Sequence, residues 1–281
     1  MKRLIIIVAL SCIAASAYAQ SLSAMLIPTD ARSLSMGGTV LQPDAPQLYA
    51  GASYGLWAPG TAGNNIFAAD AYIKVGDKFA LTLGGKAFMD KPYEIYSDPG
   101  AFKGNFKPYD MAFSLGGIYY LNEALDFGLK LSTISSILAE KAKGSTFCAD
   151  LSARYSGQNW SVTLSGRNLG PNIDYGNGTY PLPMMAAIDG EWSPLKELKA
   201  AAGVDYLFSG AVMLNAGAEY CFADMLFARA GFHYGDAAKA VPTFISAGLG
   251  AKYAGVQLDA AYIFASPTIG NSLMLTLGYA F

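Results

Sequence analysis

The chain has 281 residues and a formal charge of −2, with 53% hydrophobic and only 14% charged residues. An average soluble domain is about 25% charged. This balance excludes a disordered chain, which needs low hydrophobicity and high net charge. An isoelectric point near 5.4 supplies no basic footprint for nucleic acid. Three cysteines are too few for a disulfide scaffold. A large soluble all-β domain or a membrane protein remains.

The chain opens with Lys2 and Arg3, an apolar run from Leu4 to Leu10, and Ala17-Tyr18-Ala19 before Gln20. That order predicts a cleaved signal peptide over 1–19 and export. Cys12 raises lipidation as a rival, but Ala9-Leu10-Ser11 before it make a poor lipobox. Residues 20–45 read as an N-terminal plug or periplasmic segment ahead of a barrel over 46–281. Beyond residue 20 no stretch approaches the ~20 apolar residues of a helical span. Entry into a membrane would therefore require a β-barrel, the other structure that satisfies every backbone polar group in lipid.

Period-2 alternation predicts strands at 46–57, 65–76, 79–90, 109–121, 124–135, 146–157, 159–168, 184–193, 197–208, 212–222, 225–235, 243–253, 255–265 and 272–281. In the strand from Leu125, the residues Leu125, Phe127, Leu129 and Leu131 share one face, and Asp126, Gly128, Lys130 and Ser132 the other. Fourteen is an even number, as expected of a bacterial outer-membrane barrel. The predicted fold class is all-β, a transmembrane antiparallel barrel of about 14 strands with an N-terminal plug segment in the lumen.

Charges separate this class from a soluble sandwich. Asp70, Asp90, Asp110, Asp126, Asp150, Asp189, Glu191, Asp205, Glu219 and Asp259 fall on the polar parity. So do Lys74, Lys86, Lys130, Arg154, Arg167, Lys199, Arg229 and Lys252. A lipid-facing Lys or Arg at the midplane costs about 2–4 kcal/mol, so lipid enforces such sorting. The loops sort as well. Counting back from a periplasmic Phe281, short turns fall on one side, at 76–78, 122–123, 157–158, 193–197, 223–224 and 254–255. Longer connections fall on the other, at 91–108, 136–146, 169–183, 236–242 and 266–271, with a short exception at Ser209-Gly210. Short periplasmic turns and longer outer loops mark outer-membrane barrels. Aromatics such as Phe79, Tyr119, Trp160, Trp192, Phe222, Tyr253 and Tyr279 cluster at the ends of the apolar faces, where interfacial girdles sit.

Candidate sites are few. His233 is the single histidine; no G-x-S-x-G elbow accompanies it, and no metal-ligand spacing is present, so no catalytic, metal or cofactor residue is assigned. Cys148 and Cys221 read as free lumen residues. The mixed lumen charges read as a structural network. Matching parities needs an odd-length turn, and a three-residue one could place Glu219 opposite Arg229; Arg32 could pair with a lumen acid and hold the plug. Tyr93, Tyr96, Phe102 and Phe106 in the first long loop, with Tyr175 and Tyr180 in the third, suit either a protein partner or a lid over the barrel mouth. Lumen-parity Phe88, Ile118, Tyr120, Met185, Phe227, Phe244 and Ile263 could line an apolar pocket or pack the plug.

Several short motifs occur in a fixed order. They are Pro28-Thr29-Asp30-Ala31-Arg32, Met36-Gly37-Gly38, Arg167-Asn168-Leu169-Gly170, Pro181-Leu182-Pro183, Gly217-Ala218-Glu219-Tyr220, Ala228-Arg229-Ala230-Gly231 and Leu258-Asp259-Ala260-Ala261-Tyr262. This series resembles the PorV/PorQ family of Bacteroidota, relatives of the FadL-type channel. The resemblance implies a plugged 14-stranded barrel without enzymatic activity. It also implies a subunit or anchor of a surface-protein secretion complex of the type IX kind. Its partners would be surface lipoproteins or a larger outer-membrane machine, besides membrane lipid. Two departures stand out: Trp57-Ala58-Pro59-Gly60 replaces the family's Asn-Pro-Ala, and the outer loops are short. The alternative expectation is a FadL-like passive channel for small hydrophobic compounds, with a ligand in the lumen.

Overall fold

The computed structural model describes residues 22–41, 47–59, 63–96, 100–265 and 270–280. The predicted signal peptide lies outside them. Fourteen of the eighteen strands close into one antiparallel barrel. In chain order these are β1 (Leu48–Trp57), β2 (Asn64–Val75), β3 (Phe79–Met89), β6 (Tyr109–Tyr120), β7 (Leu125–Ala139), β8 (Ala142–Ser156) and β9 (Trp160–Leu169). They continue as β12 (Met185–Leu195), β13 (Leu198–Leu207), β14 (Val212–Phe222), β15 (Leu226–Tyr234), β16 (Phe244–Tyr253), β17 (Val256–Ala265) and β18 (Ser272–Ala280). β1 pairs with β18 from Tyr49↔Ala280 to Leu56↔Leu273, and this seam removes the open edges of the sheet.

The alternation sets the register. Most outward pairs set apolar residues opposite apolar residues, as in Leu258↔Leu277, Phe79↔Tyr119 and Leu115↔Leu131. The outward residues are large and exposed: Leu249 at 69%, Leu83 at 60% and Tyr253 at 74%. A band of this size would be an aggregation surface in water, so its natural surroundings are apolar. Aromatic contacts ring the short-turn end, with Phe79–Tyr119 at 5.1 Å and Tyr155–Trp160 at 5.8 Å. Leu249 sits midway along the outward face of β16. In barrels refolded into lipid, Leu249→Arg should cost about 2–4 kcal/mol in urea unfolding, while Ala238→Arg in an outer loop should cost almost nothing.

Two connections differ from the sequence expectation. The predicted long loop 136–146 is a tight turn, because β7 runs on to Ala139 and β8 begins at Ala142. The ladder continues through Ser135↔Ser145 and Ile137↔Lys143, and these small or β-branched residues keep pairing where their polarity suggested a loop. The predicted turn 193–197 contracts to Lys196-Glu197, since β12 reaches Leu195. Two long connections carry structure of their own. The first holds the hairpin β4 (Tyr93–Tyr96) and β5 (Phe102–Phe106), and the third the short pair β10 (Ile173–Asp174) and β11 (Thr179–Tyr180).

The N-terminal segment lies against the inward face of the wall. A 3-10 turn (Ser23–Leu26) leads to a short helix, α1 (Ala31–Ser35), which packs on β15–β18. Asp30 caps the helix by accepting from the Ser33 amide at 2.8 Å.

Candidate functional site

The inward face carries an apolar cluster that includes the N-terminal segment. Ile27, Ala31 and Leu34 of the N-terminal segment join one apolar cluster with Trp57, Ile66, Met185, Leu207, Met213, Phe244, Ile263 and Met274. These wall residues run from β2 through the β1–β18 seam round to β12, so the cluster reaches across the long-loop end of the lumen. Of the seven lumen residues proposed to line a pocket, Phe88, Met185, Phe244 and Ile263 meet here. The other three sit elsewhere. Tyr120 hydrogen-bonds to Tyr72 at 2.8 Å, and Phe227 lies under the Arg229 guanidinium at 5.2 Å. Ile118 faces the lumen from β6, outside the cluster.

An ion-pair chain fastens the segment. Arg32 donates to Glu219 through two nitrogens, at 2.9 and 2.7 Å. Glu219 also accepts from Arg229 Nε at 2.6 Å, and Arg229 Nη1 reaches Asp259 at 2.6 Å. The register places Glu219 opposite Arg229 across the turn Ala223-Asp224-Met225. Arg229 is 1% exposed at its side chain, so removing one partner would strand a buried charge.

Sequence reasoning missed the seat of this segment. Ser35, Met36 and Gly37 lie on a patch where Gly217, Gly231 and Gly248 face inward from three consecutive strands. A Cβ on Gly231 would stand 2.1 Å from the Gly37 amide nitrogen, and one on Gly217 would stand 2.6 Å from Met36 Cβ. Gly37 itself has φ +74, and a Cβ there would meet the Phe232 carbonyl oxygen at 2.4 Å. Backbone contacts complete the seat. The Ala31 amide donates to Thr276 Oγ1 at 2.8 Å, and the Gly37 amide donates to Ser246 Oγ at 3.1 Å. Lys86 clasps the entry to the segment, donating from Nζ to the Ala24 and Ile27 carbonyls at 2.5 Å. The available signal was the coincidence of inward glycines on β14–β16 with the Met-Gly-Gly motif.

The remaining candidates divide clearly. His233 Nδ1 lies 2.7 Å from Asn215 Oδ1 and Nε2 lies 3.1 Å from the Val241 carbonyl, with the ring stacked on Phe244 at 4.7 Å. One ring nitrogen is thereby engaged by the wall and the other by the outer connection before β16. Asn215 passes the network to Asp205, which Arg167 shares with Asp189. Cys148 is buried and Cys221 half-buried, both free thiols. No cluster of three metal-ligating side chains occurs among the described residues.

The loop aromatics serve two different places. Tyr175 is turned inward and 3% exposed, its hydroxyl donating to Ser136 at 2.9 Å. With Ile173 and Leu182 it packs on Ala112, Ile134, Cys148 and Leu22, so this loop folds over the mouth and meets the N-terminal segment. Tyr175 is therefore not presented to a partner. Tyr93, Tyr96, Phe102 and Tyr180 are exposed, and the hairpin rings pair as Tyr93–Phe106 at 5.5 Å and Tyr96–Phe102 at 5.9 Å.

A barrel of 14 antiparallel strands, with a short N-terminal segment against its inner wall, can now be set beside known structures. The fold is similar to that of FadL-type outer-membrane hydrocarbon transporters. The toluene transporter TodX of P. putida aligns over 91% of this chain and 99% of its own, with 11% identity and a TM-score of 0.64. TbuX, the toluene transporter of Ralstonia pickettii, aligns over 91% and 99%, with 11% identity and a TM-score of 0.61. A Pseudomonas aeruginosa FadL homologue gives 91%, 99%, 12% and 0.60. At these identities the likeness is one of fold. No family model matches the sequence, and no curated protein matches it. The PorV/PorQ resemblance therefore stands on its motifs alone, and these structures lend the secretion reading no support.

Proposed function

We propose that the protein is a passive outer-membrane channel for small hydrophobic compounds, with residues 20–45 as a plug within a barrel over 46–281. The observation that carries this reading is the apolar cluster at the long-loop end of the lumen. It is formed by the N-terminal segment and the wall together, inside a barrel built like the toluene transporters. Such a cluster offers a small apolar solute a dry environment, and a solute that takes the place of Leu34 or Ile27 would loosen the plug. The outward apolar band and the sorted loops support an outer-membrane location, and export over 1–19 is consistent with it. Nothing in this function calls for a catalytic residue or cofactor.

Trp57 supplies a direct test. It is 8% exposed and packs edge-on to Phe244 at 6.5 Å, whereas Trp160 and Trp192 lie exposed on the outer face. In a Trp160→Phe, Trp192→Phe background, titration with toluene should change Trp57 emission saturably, and glucose should not. A flat toluene titration would overturn the reading.

A further inference from the structure

The outward face carries one anomaly. At barrel-strand positions facing outward, the serines and threonines among the described residues are Thr133, Ser135 and Ser145, all on β7 and β8. Asn65 is another polar outward residue, and its Oδ1 accepts from the Tyr54 hydroxyl. None of the three hydroxyls has a partner within the protein among the described residues. The register arranges them in rows across three strands. Phe113, Thr133 and Phe147 form one row, Met111, Ser135 and Ser145 the next, and Tyr109, Ile137 and Lys143 the third. The first two rows line a groove of about 410 Å³ between the rings of Phe113 and Phe147, which are 64% and 65% exposed. At about 3.4 Å per residue, Lys143 stands roughly 14 Å beyond Phe147 toward the long-loop end.

We propose that this groove binds a phosphorylated glycolipid of the outer leaflet. The gradient along it matches such a molecule from tail to head. Phe113, Met111 and Phe147 meet the acyl chains. Thr133, Ser135 and Ser145 offer hydroxyls to ester and sugar oxygens, which plain hydrocarbon would leave unsatisfied. Lys143, with Lys141 beside it, meets phosphate in a charge-assisted bond. The hairpin β4–β5 extends the same flank: Tyr93 donates to the Leu138 carbonyl at 3.4 Å, and the hairpin segment brings exposed Lys103 and Lys107. Across this flank the described lysines outnumber Glu94 and Glu140, and Glu94 accepts from the Tyr96 hydroxyl. The inference rests on the outward face being lipid-facing, and it adds a specific lipid to that reading.

The test is native mass spectrometry of the full barrel in nonionic detergent, titrated with lipid A and with dephosphorylated lipid A. One lipid A per barrel should be retained about tenfold more tightly than the dephosphorylated form. Lys143→Ala and, separately, Ser145→Leu should weaken that retention several-fold, and Lys239→Ala in another loop should not. Ser145→Leu suits a lipid-facing site and should leave folding intact, so its loss of binding cannot be ascribed to a damaged barrel. Equal retention of both lipids, or retention unchanged in both variants, would overturn the proposal. The Trp57 titration on the same samples reports separately on the channel reading.

Discussion

Glu219→Ala should destabilise the barrel by about 3–5 kcal/mol and release the N-terminal segment from the wall. Glu219 is the shared acceptor of Arg32 and Arg229, and its side chain is 6% exposed. Its loss leaves Arg32 without its bidentate partner and leaves Arg229 paired with Asp259. Breaking a buried pair from one side costs more than the pair contributes, because the remaining charge has lost its water and gained nothing. Urea unfolding in lipid vesicles, read by heat-modifiable gel mobility, measures the cost. Glu219→Gln keeps the shape and loses the charge, and should fall between the two. A Glu219→Ala barrel as stable as the parent would mean that the network contributes nothing to the seat of the segment.

Gly231→Val should act on the segment and spare the wall. The added side chain enters the space of the Gly37 nitrogen and the Met36 carbonyl carbon, at 2.1 and 2.4 Å from its Cβ. Overpacking of this kind costs about 1–3 kcal/mol when the neighbours stay in place. Here one neighbour is the N-terminal segment, seated on the wall by discrete contacts, whereas β14, β15 and β16 are fixed in a closed ladder. The segment should therefore swing out. Trypsin should cut at Arg32 faster than in the parent barrel, and vesicles should swell faster in small sugars than vesicles carrying the parent. Gly210→Val, in an outer turn where a Cβ meets nothing within 4 Å, controls for the bulk of valine, although its φ of +88 adds local strain. Protection of Arg32 unchanged in Gly231→Val would contradict the seating of the segment on the glycine patch.

The barrel was legible because lipid and a polar lumen impose opposite chemistry on alternate residues. Leu273, Leu275 and Leu277 against Met274, Thr276 and Gly278 state a strand with two environments, and a slip of one residue would turn every lumen charge outward. Parity allowed Glu219 to face Arg229 only across a three-residue turn, and the ladder supplies that turn at Ala223-Asp224-Met225. The turn at 140–141 was not legible, because Ser136, Gly144, Ser145 and Lys143 look like loop residues whether they pair in a ladder or not. The inward fold of Tyr175 was equally hidden. Whether a loop aromatic faces solvent or Ser136 depends on a wall 39 residues earlier in the chain. The glycine patch needed the registers of three strands at once, since Gly217, Gly231 and Gly248 become neighbours only after β14–β16 are paired.

The same logic limits what the motifs could say of function. Met36-Gly37-Gly38, Glu219 and Arg229 are explained by fastening a segment to a wall, and the segment's apolar face is explained by the cluster around Phe244 and Ile263. These residues account for a segment seated on the inner wall and an apolar cluster beside it. They carry no information about a secreted cargo, so the resemblance through them extends to architecture and not to a secretion partner.

The most direct measurement is uptake of radiolabelled toluene, beside a sugar of similar size, into cells whose own hydrocarbon channels are absent and whose outer membrane carries this barrel. Faster toluene entry with unchanged sugar entry is the expected result. Sugar entry that rises with toluene would make the protein a general pore. Toluene entry no faster than in cells without the barrel would contradict the channel.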